Sequence, residues 1–147
     1  MNKILLLYSL ITLSVVIYHP PVIKQGIMGK IYLRKGNYMP SPGQITPQGK
    51  PVKRTIYIYE VTNREQVTEN GTHYSNIKTK LIAKTKSDDT GCYSIALLTG
   101  YYSVFVDDND QIYANSFDGK GNINTIEVKK GKVSVLDIII NASNAVY

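Results

Sequence analysis

Two histidines, one cysteine and eleven carboxylates hold most of the acid–base and nucleophilic chemistry open to this chain. His19 borders an apolar leader, which leaves His73 as the imidazole of the folded part. Nucleophilic catalysis needs such a base within hydrogen-bond reach of a nucleophile and of an orienting acid. His73 reads as a loop residue between Asn63 and Asn76, so a small hydrolase acting on a polar substrate would require it to be pinned beside an acid in a cleft. Cys92 follows Gly91 at the start of a strand and reads as a small packing residue, since a reactive thiolate needs a neighbouring base or cation. A lone cysteine forms no internal disulfide. Metal sites built on His or Cys take three or four such ligands, more than the folded part holds.

The carboxylates read as turn formers. Asp88-Asp89 precedes Thr90-Gly91, and Asp107-Asp108-Asn109-Asp110 separates two apolar runs. The second cluster invites a calcium reading because calcium takes six to eight oxygen ligands. It lacks the glycine at position six and the distal glutamate of the calcium loop, so turn chemistry is the expected role. Glu60 is the carboxylate placed to be buried on a strand, paired with Arg54 or a lysine. No glycine-rich phosphate loop precedes a helix. No catalytic, cofactor-binding or metal-binding residue is therefore assigned.

Binding chemistry is better represented. The formal net charge is +6, with a pI near 9.3, which suits solubility and permits an anionic partner. Lys78, Lys80, Lys84 and Lys86 share one parity along an expected strand, Ile77 to Thr85. Such a row protects an exposed sheet edge from pairing with another chain, and it equally forms a docking strip for anions. The second candidate is the broken stretch Lys35 to Pro51, with four prolines and three glycines. Its Tyr38, Met39 and Pro40 offer an apolar patch in a loop long enough to be functional. A nucleic-acid surface would have to be assembled from tyrosines and the lysine strip, and export argues against that partner.

The elements that must position these residues are strands. Twelve tyrosines, no tryptophan and many β-branched residues favour strand over helix. Gly26 to Arg34, Val52 to Glu60, Ile77 to Thr85, Tyr93 to Leu97, Tyr102 to Asp107, Gln111 to Ala114, Ile123 to Val128 and Val133 to Ile140 alternate or sit between turn signals. Gly91 is expected at positive φ between two of them. The inward set predicts a core of Ile31, Leu33, Ile56, Ile58, Leu81, Tyr93, Ile95, Leu97, Val104, Val106, Leu136, Ile138 and Ile140. Tyr57 and Tyr59 fall on the outer face, where a loop can cover them. Ahead of all this, Ile4 to Tyr18 is an apolar run after Lys3, too short for a comfortable membrane span and of signal-peptide length. Residues 1–20 are read as a signal peptide or N-terminal anchor, and membrane contact is expected only there.

From Gly26 to the C-terminus the chain resembles the carboxypeptidase regulatory-like domains of small secreted Bacteroidota proteins. The residues that carry the likeness are Gly29-Lys30-Ile31, then Thr85 to Gly91 before Tyr93-Ser94-Ile95, then Gly100-Tyr101-Tyr102-Ser103-Val104. The loop Gly36 to Pro40 and the segment Ala114 to Asn122 are also similar. The resemblance implies an all-β fold, an antiparallel seven- or eight-stranded β-sandwich of the transthyretin (prealbumin) type over residues 26–141, with 142–147 as a tail. It implies an exported, non-enzymatic binding or accessory subunit in the bacterial cell envelope, with no cofactor and with an envelope protein or glycan as partner. A structural subunit of an outer-membrane assembly, docked through the Pro-rich loop, is the alternative. Hydroxyisourate hydrolases of similar fold end in Tyr-Arg-Gly-Ser, where this chain has Asn144-Ala145-Val146-Tyr147. Collagen-adhesin domains join a lysine to an asparagine with help from an acid, a set echoed by Lys30, Asn141 and Asp107.

Overall fold

The computed structural model describes residues 22–36, 42–43, 45 and 47–142. The leader, Tyr38, Met39, Pro40 and the last five residues lie outside them. Apart from one 3-10 turn at Arg64–Gln66, the described chain is all strand and loop. The strands are β1 (Gly26–Lys35), β2 (Lys50–Pro51), β3 (Thr55–Glu60), β4 (Thr68–Asn70), β5 (His73–Ser75), β6 (Leu81–Lys86) and β7 (Cys92–Ala96). They continue as β8 (Gly100–Asp108), β9 (Gln111–Tyr113), β10 (Thr125–Val128), β11 (Val133–Val135) and β12 (Ile138–Ala142).

Two sheets result. One is built on β1, with β11, β12, β2 and β7 as its neighbours. The other runs β4-β5-β9-β8-β3-β6, with β10 on the flank of β8. Side chains of alternate parity meet between them, as the period-2 pattern requires. Ile27, Ile31, Ile56, Ile58, Val104, Val106, Tyr113 and Ile140 are solvent-free at this interface. Leu33, Ile95 and Leu136 pack against it half-buried. The expected all-β sandwich is the observed one.

Most pairing is antiparallel, but β1 runs parallel to both β11 and β12. The single last strand expected from Val133 to Ile140 is interrupted at Leu136-Asp137. Its register against β1 is unbroken, Met28 facing Val135 and Ile31 facing Ile138. Across the gap, the Asp137 carboxylate accepts the backbone N–H of Lys30 at 2.7 Å. The Leu136 N–H donates to Met28 O at 2.8 Å. Gly29 makes this approach possible, since a Cβ there would lie 1.9 Å from Leu136 O.

Side chains also trim β3. Arg54 N–H donates to Ser87 Oγ at 2.8 Å, and that hydroxyl donates on to Val52 O at 2.9 Å. Ser87, almost fully buried, thus replaces ladder bonds that Val52 to Arg54 would otherwise make. Gly91 stands at φ 78, as the turn demanded, and a Cβ on it would press Ile31 O at 2.6 Å.

One core assignment is corrected. Ile58 faces Ala83 but Tyr59 faces Leu81, so Ile82 is an extra residue in a β-bulge. Slipping by one residue turns a side chain to the opposite face. Leu81 consequently leaves the core and is 43% exposed. The strand itself begins four residues later than expected, because Ile77 packs elsewhere.

That other place is a second core, on the outer face of the seven-stranded sheet. Tyr74, Phe105, Ala114 and Ile123 are buried there, with Tyr57, Tyr59, Val67, Ile77 and Ile112 packed against them. Tyr59 and Tyr74 meet the Phe105 ring edge-on at 5.6 and 5.7 Å. The cover consists of residues 61–67, 76–79 and 114–124. It is fastened by buried polar bonds: Ser103 Oγ accepts the Thr62 N–H at 2.9 Å, and Asn124 Nδ2 donates to Val104 O at 2.7 Å. Tyr57 and Tyr59 do lie beneath a loop, as their outer-face parity allowed.

Candidate functional site

The lysine row lies at the free end of the seven-stranded sheet. Among the described residues β6 is the last strand in the order, with a ladder to β3 alone and one side-chain bond to β7, Thr85 Oγ1 donating to Ser94 O at 3.4 Å. Lys78, Lys80, Lys84 and Lys86 are all exposed. Their arrangement is not the single row expected. Tyr57 faces Lys84 and Thr55 faces Lys86, and beyond the bulge it is Leu81 that continues this face, opposite Tyr59. Lys80 is held by its backbone instead, accepting the Glu60 N–H at 3.0 Å and donating to Glu60 Oε2 at 3.4 Å. Glu60 is exposed, not buried, and meets a backbone amide where a side-chain cation was expected. Between the lysines, Leu81 and Ile82 are 43% and 40% exposed. The edge therefore carries positive charge around a small aliphatic step.

A second constellation was not legible as one. His73 lies on β5, not in a loop, and faces Tyr113, which in turn faces Val106. This row belongs to the inner face. Asp108 has the same parity as Val104 and Val106, and it points inward at the sheet's far end. His73 Nε2 and Asp108 Oδ2 are 3.1 Å apart, with side-chain exposures of 23% and 10%. The imidazole stands edge-on to Tyr113 at 5.6 Å. Tyr113 is fixed in turn, its hydroxyl donating to Ile139 O and accepting the Asn141 N–H. Burial raises its pKa, so the phenol stays neutral.

Beside this pair opens a groove of about 340 Å³, lined by Asn70, His73, Ser75, Asn76, Asp110 and Gln111 among others. A carboxylate on one ring nitrogen fixes the orientation of an imidazole and leaves the other nitrogen for a ligand or a proton. The sequence signals were present but weak: an inward parity at Asp108, and a histidine just after the Asn70-Gly71 turn.

The other candidate chemistries are resolved by register. Asp107 faces Ile112 and Asp108 faces Gln111, so consecutive carboxylates leave on opposite faces. Asn109 and Asp110, at φ 52 and 66, form the two-residue hairpin turn that favours left-handed backbone. Among the described residues no group of three His, Cys, Asp or Glu is gathered to hold a metal. Lys30 faces Cys92 while Asn141 faces Arg34, four residues further along β1, about 13 Å away at strand rise. Asp107 belongs to the other sheet, so the three residues of the isopeptide echo are kept apart.

Cys92 serves its turn. Asp88 Oδ1 accepts the Thr90 and Cys92 N–H groups and the Thr90 hydroxyl. The Thr90 bond, with backbone help, holds the Asp88 carboxyl below its usual range. The C-terminal four residues compared with the hydrolase motif lie outside the described residues, as do Tyr38, Met39 and Pro40. No protein-family model matches the chain, and no curated protein matches it.

Proposed function

We propose that this chain is an exported, non-enzymatic β-sandwich of the carboxypeptidase regulatory-like kind, working as a binding or accessory subunit of the bacterial cell envelope. The observation that carries the reading is the free edge at β6. Exposed Lys78, Lys80, Lys84 and Lys86 surround exposed Leu81 and Ile82 on a strand whose other side has no ladder partner among the described residues. Charge of one sign around an aliphatic step is a composition suited to docking an acidic protein or glycan surface. The apolar leader from Ile4 to Tyr18 supplies the route of export. The test is a photo-reactive side chain at Ile82 in the protein expressed in its own cells, with Gly119 in the cover loop as the control position. Adducts at Ile82 and none at Gly119 are expected. Adducts at Gly119 alone would move the contact to the cover and end this reading.

The His73–Asp108 pair supports a second reading, a small hydrolase, because it meets the condition set by the sequence: an imidazole beside an acid at a groove. His73→Ala in a folded protein separates the two. Retained partner binding with intact biological activity supports the subunit, and complete loss of activity supports the hydrolase.

A further inference from the structure

At the opposite end of β6 from Leu81 there is a hollow of about 180 Å³, lined by Lys53, Arg54, Thr55, Lys86 and Asp107. At about 30 Å³ per liquid water it has room for several waters or one tetrahedral oxyanion. Its position follows from register. Thr55 faces Lys86 on one side, and Ile56 faces Val106 on the other, which brings Asp107 alongside. Lys53 and Arg54 arrive just ahead of β3, where Ser87 has replaced the ladder.

The charges there do not balance. Three cationic side chains meet one carboxylate, an excess of two positive charges. Lys53 has a further contact, with Asp89 at 3.9 Å, but both side chains are mostly in water, where such a pair is weak. Arg54 is the third cation. Its Nη1 donates to Lys53 O at 3.2 Å, while its Nε is buried without a hydrogen-bond partner. Arg54 counts here as one of the three cations lining the hollow. Guanidinium and ammonium groups together suit a phosphoryl group, the first as a planar fork and the second as a point charge.

We propose that this hollow is a binding site for a phosphate monoester. Such a group carries about −1.5 to −2 charge at neutral pH, which matches the excess; a carboxylate or sulfate ester carries one charge and leaves part of it unmet. The inference goes beyond the contact edge proposed above, sharing only Lys86 with it.

The test is amide chemical-shift mapping of the folded chain against inorganic phosphate and phenyl phosphate, at ionic strength held constant with chloride. Shifts are expected at Lys53, Arg54, Thr55, Lys86 and Asp107. Lys86→Gln should weaken binding about tenfold, one charge-assisted bond's worth, and Lys80→Gln should leave it within about twofold, as expected of a surface charge outside the site. Lys53→Gln should weaken binding similarly and provides the same reading should Lys86→Gln fail to fold. Equal losses in Lys80→Gln and Lys86→Gln, or shifts that chloride reproduces, would overturn the site and leave general charge attraction. Vesicles of phosphatidic acid in phosphatidylcholine form a separate arm. Binding of both ester and vesicle would identify a lipid headgroup as a permitted source, and binding of the ester alone a soluble one. A response to vesicles without any to phenyl phosphate would overturn the hollow and return the contact to the open lysines. Cross-linking at Ile82 can fail while the phosphate titration succeeds, so the two claims stand or fall separately.

Discussion

The two sheets treat their outer faces differently. The seven-stranded sheet covers its own, with residues 61–67, 76–79 and 114–124 closing over Phe105 and Tyr74. Among the described residues the five-stranded sheet is more open on its outer face: Met28 and Val135, neighbours in register, are 46% and 68% exposed, while Tyr32 and Arg34 of the same parity are half-buried. Among the described residues one sheet is therefore packed on both sides and the other mainly on one. A strand buried on both faces reads as a continuous apolar run, whereas a strand wet on one face alternates. Tyr102-Ser103-Val104-Phe105-Val106 on β8 is of the first kind, and Gly29-Lys30-Ile31-Tyr32-Leu33-Arg34 on β1 of the second. The lesson is that the described packing is concentrated around β8 and is lighter on the outer side of β1 near Met28.

The sharpest way to break that comparison is a pair of truncations. Phe105→Ala removes a solvent-free ring held between Tyr59 and Tyr74, and it should cost about 3–5 kcal/mol. Val135→Ala, on the more open face, should change stability by no more than about 0.5 kcal/mol. Urea unfolding of both variants provides the check. Similar losses at the two positions would mean that something covers the five-stranded sheet, or that the second core is loose.

Glycines sharpen the contrast from the other side. The more open sheet has an exacting backbone: Gly29 touches Leu136 O so closely that no Cβ fits. Gly29→Ala should cost about 1–3 kcal/mol as the two strands are pushed apart. Gly119, in the cover loop, has open space around it and ordinary φ. Gly119→Ala should be neutral or stabilise by up to about 1 kcal/mol, through the unfolded chain. A harmless Gly29→Ala would show that β1 and the β11–β12 junction are not in contact as described.

Alternation explains how much of this was legible. Ile31, Ile56, Ile58, Val104, Val106, Ile138 and Ile140 are buried as their parity required. Leu81 was misplaced because a bulge is a local change of register that composition does not announce. The parallel pairing of β1 with β11 and β12 was hidden, since neighbours across more than a hundred residues leave no mark in either strand. The same reason concealed the site: His73 and Asp108 are joined through β9, and each alone looked like a turn residue. The lysines were legible as exposed, but their division by the bulge was not. Arg54, expected as a partner for Glu60, instead lines a hollow with Lys53 and Lys86.

The smallest expected effect lies on the edge where the two readings of the lysines meet. β6 closes the seven-stranded sheet, the more heavily packed of the two, and its free side is where another strand would add. If Lys80 and Lys84 guard that side, their charges are solvated, and the variant carrying both Lys80→Gln and Lys84→Gln should lose less than about 0.5 kcal/mol per site. Its change should appear as self-association, since an uncharged edge beside exposed Leu81 and Ile82 becomes a template for pairing. Sedimentation at rising protein concentration measures this directly. If the lysines instead dock an acidic partner, the parent protein binds anionic glycans or liposomes and releases them as salt rises, because exposed charges are screened over about 8–10 Å. The double variant then loses that binding and stays monomeric. A free edge needs its charges for solubility even when it also meets a partner, so both losses together would locate guarding and docking in the same side chains. A monomeric variant with unchanged binding would remove the edge from both roles.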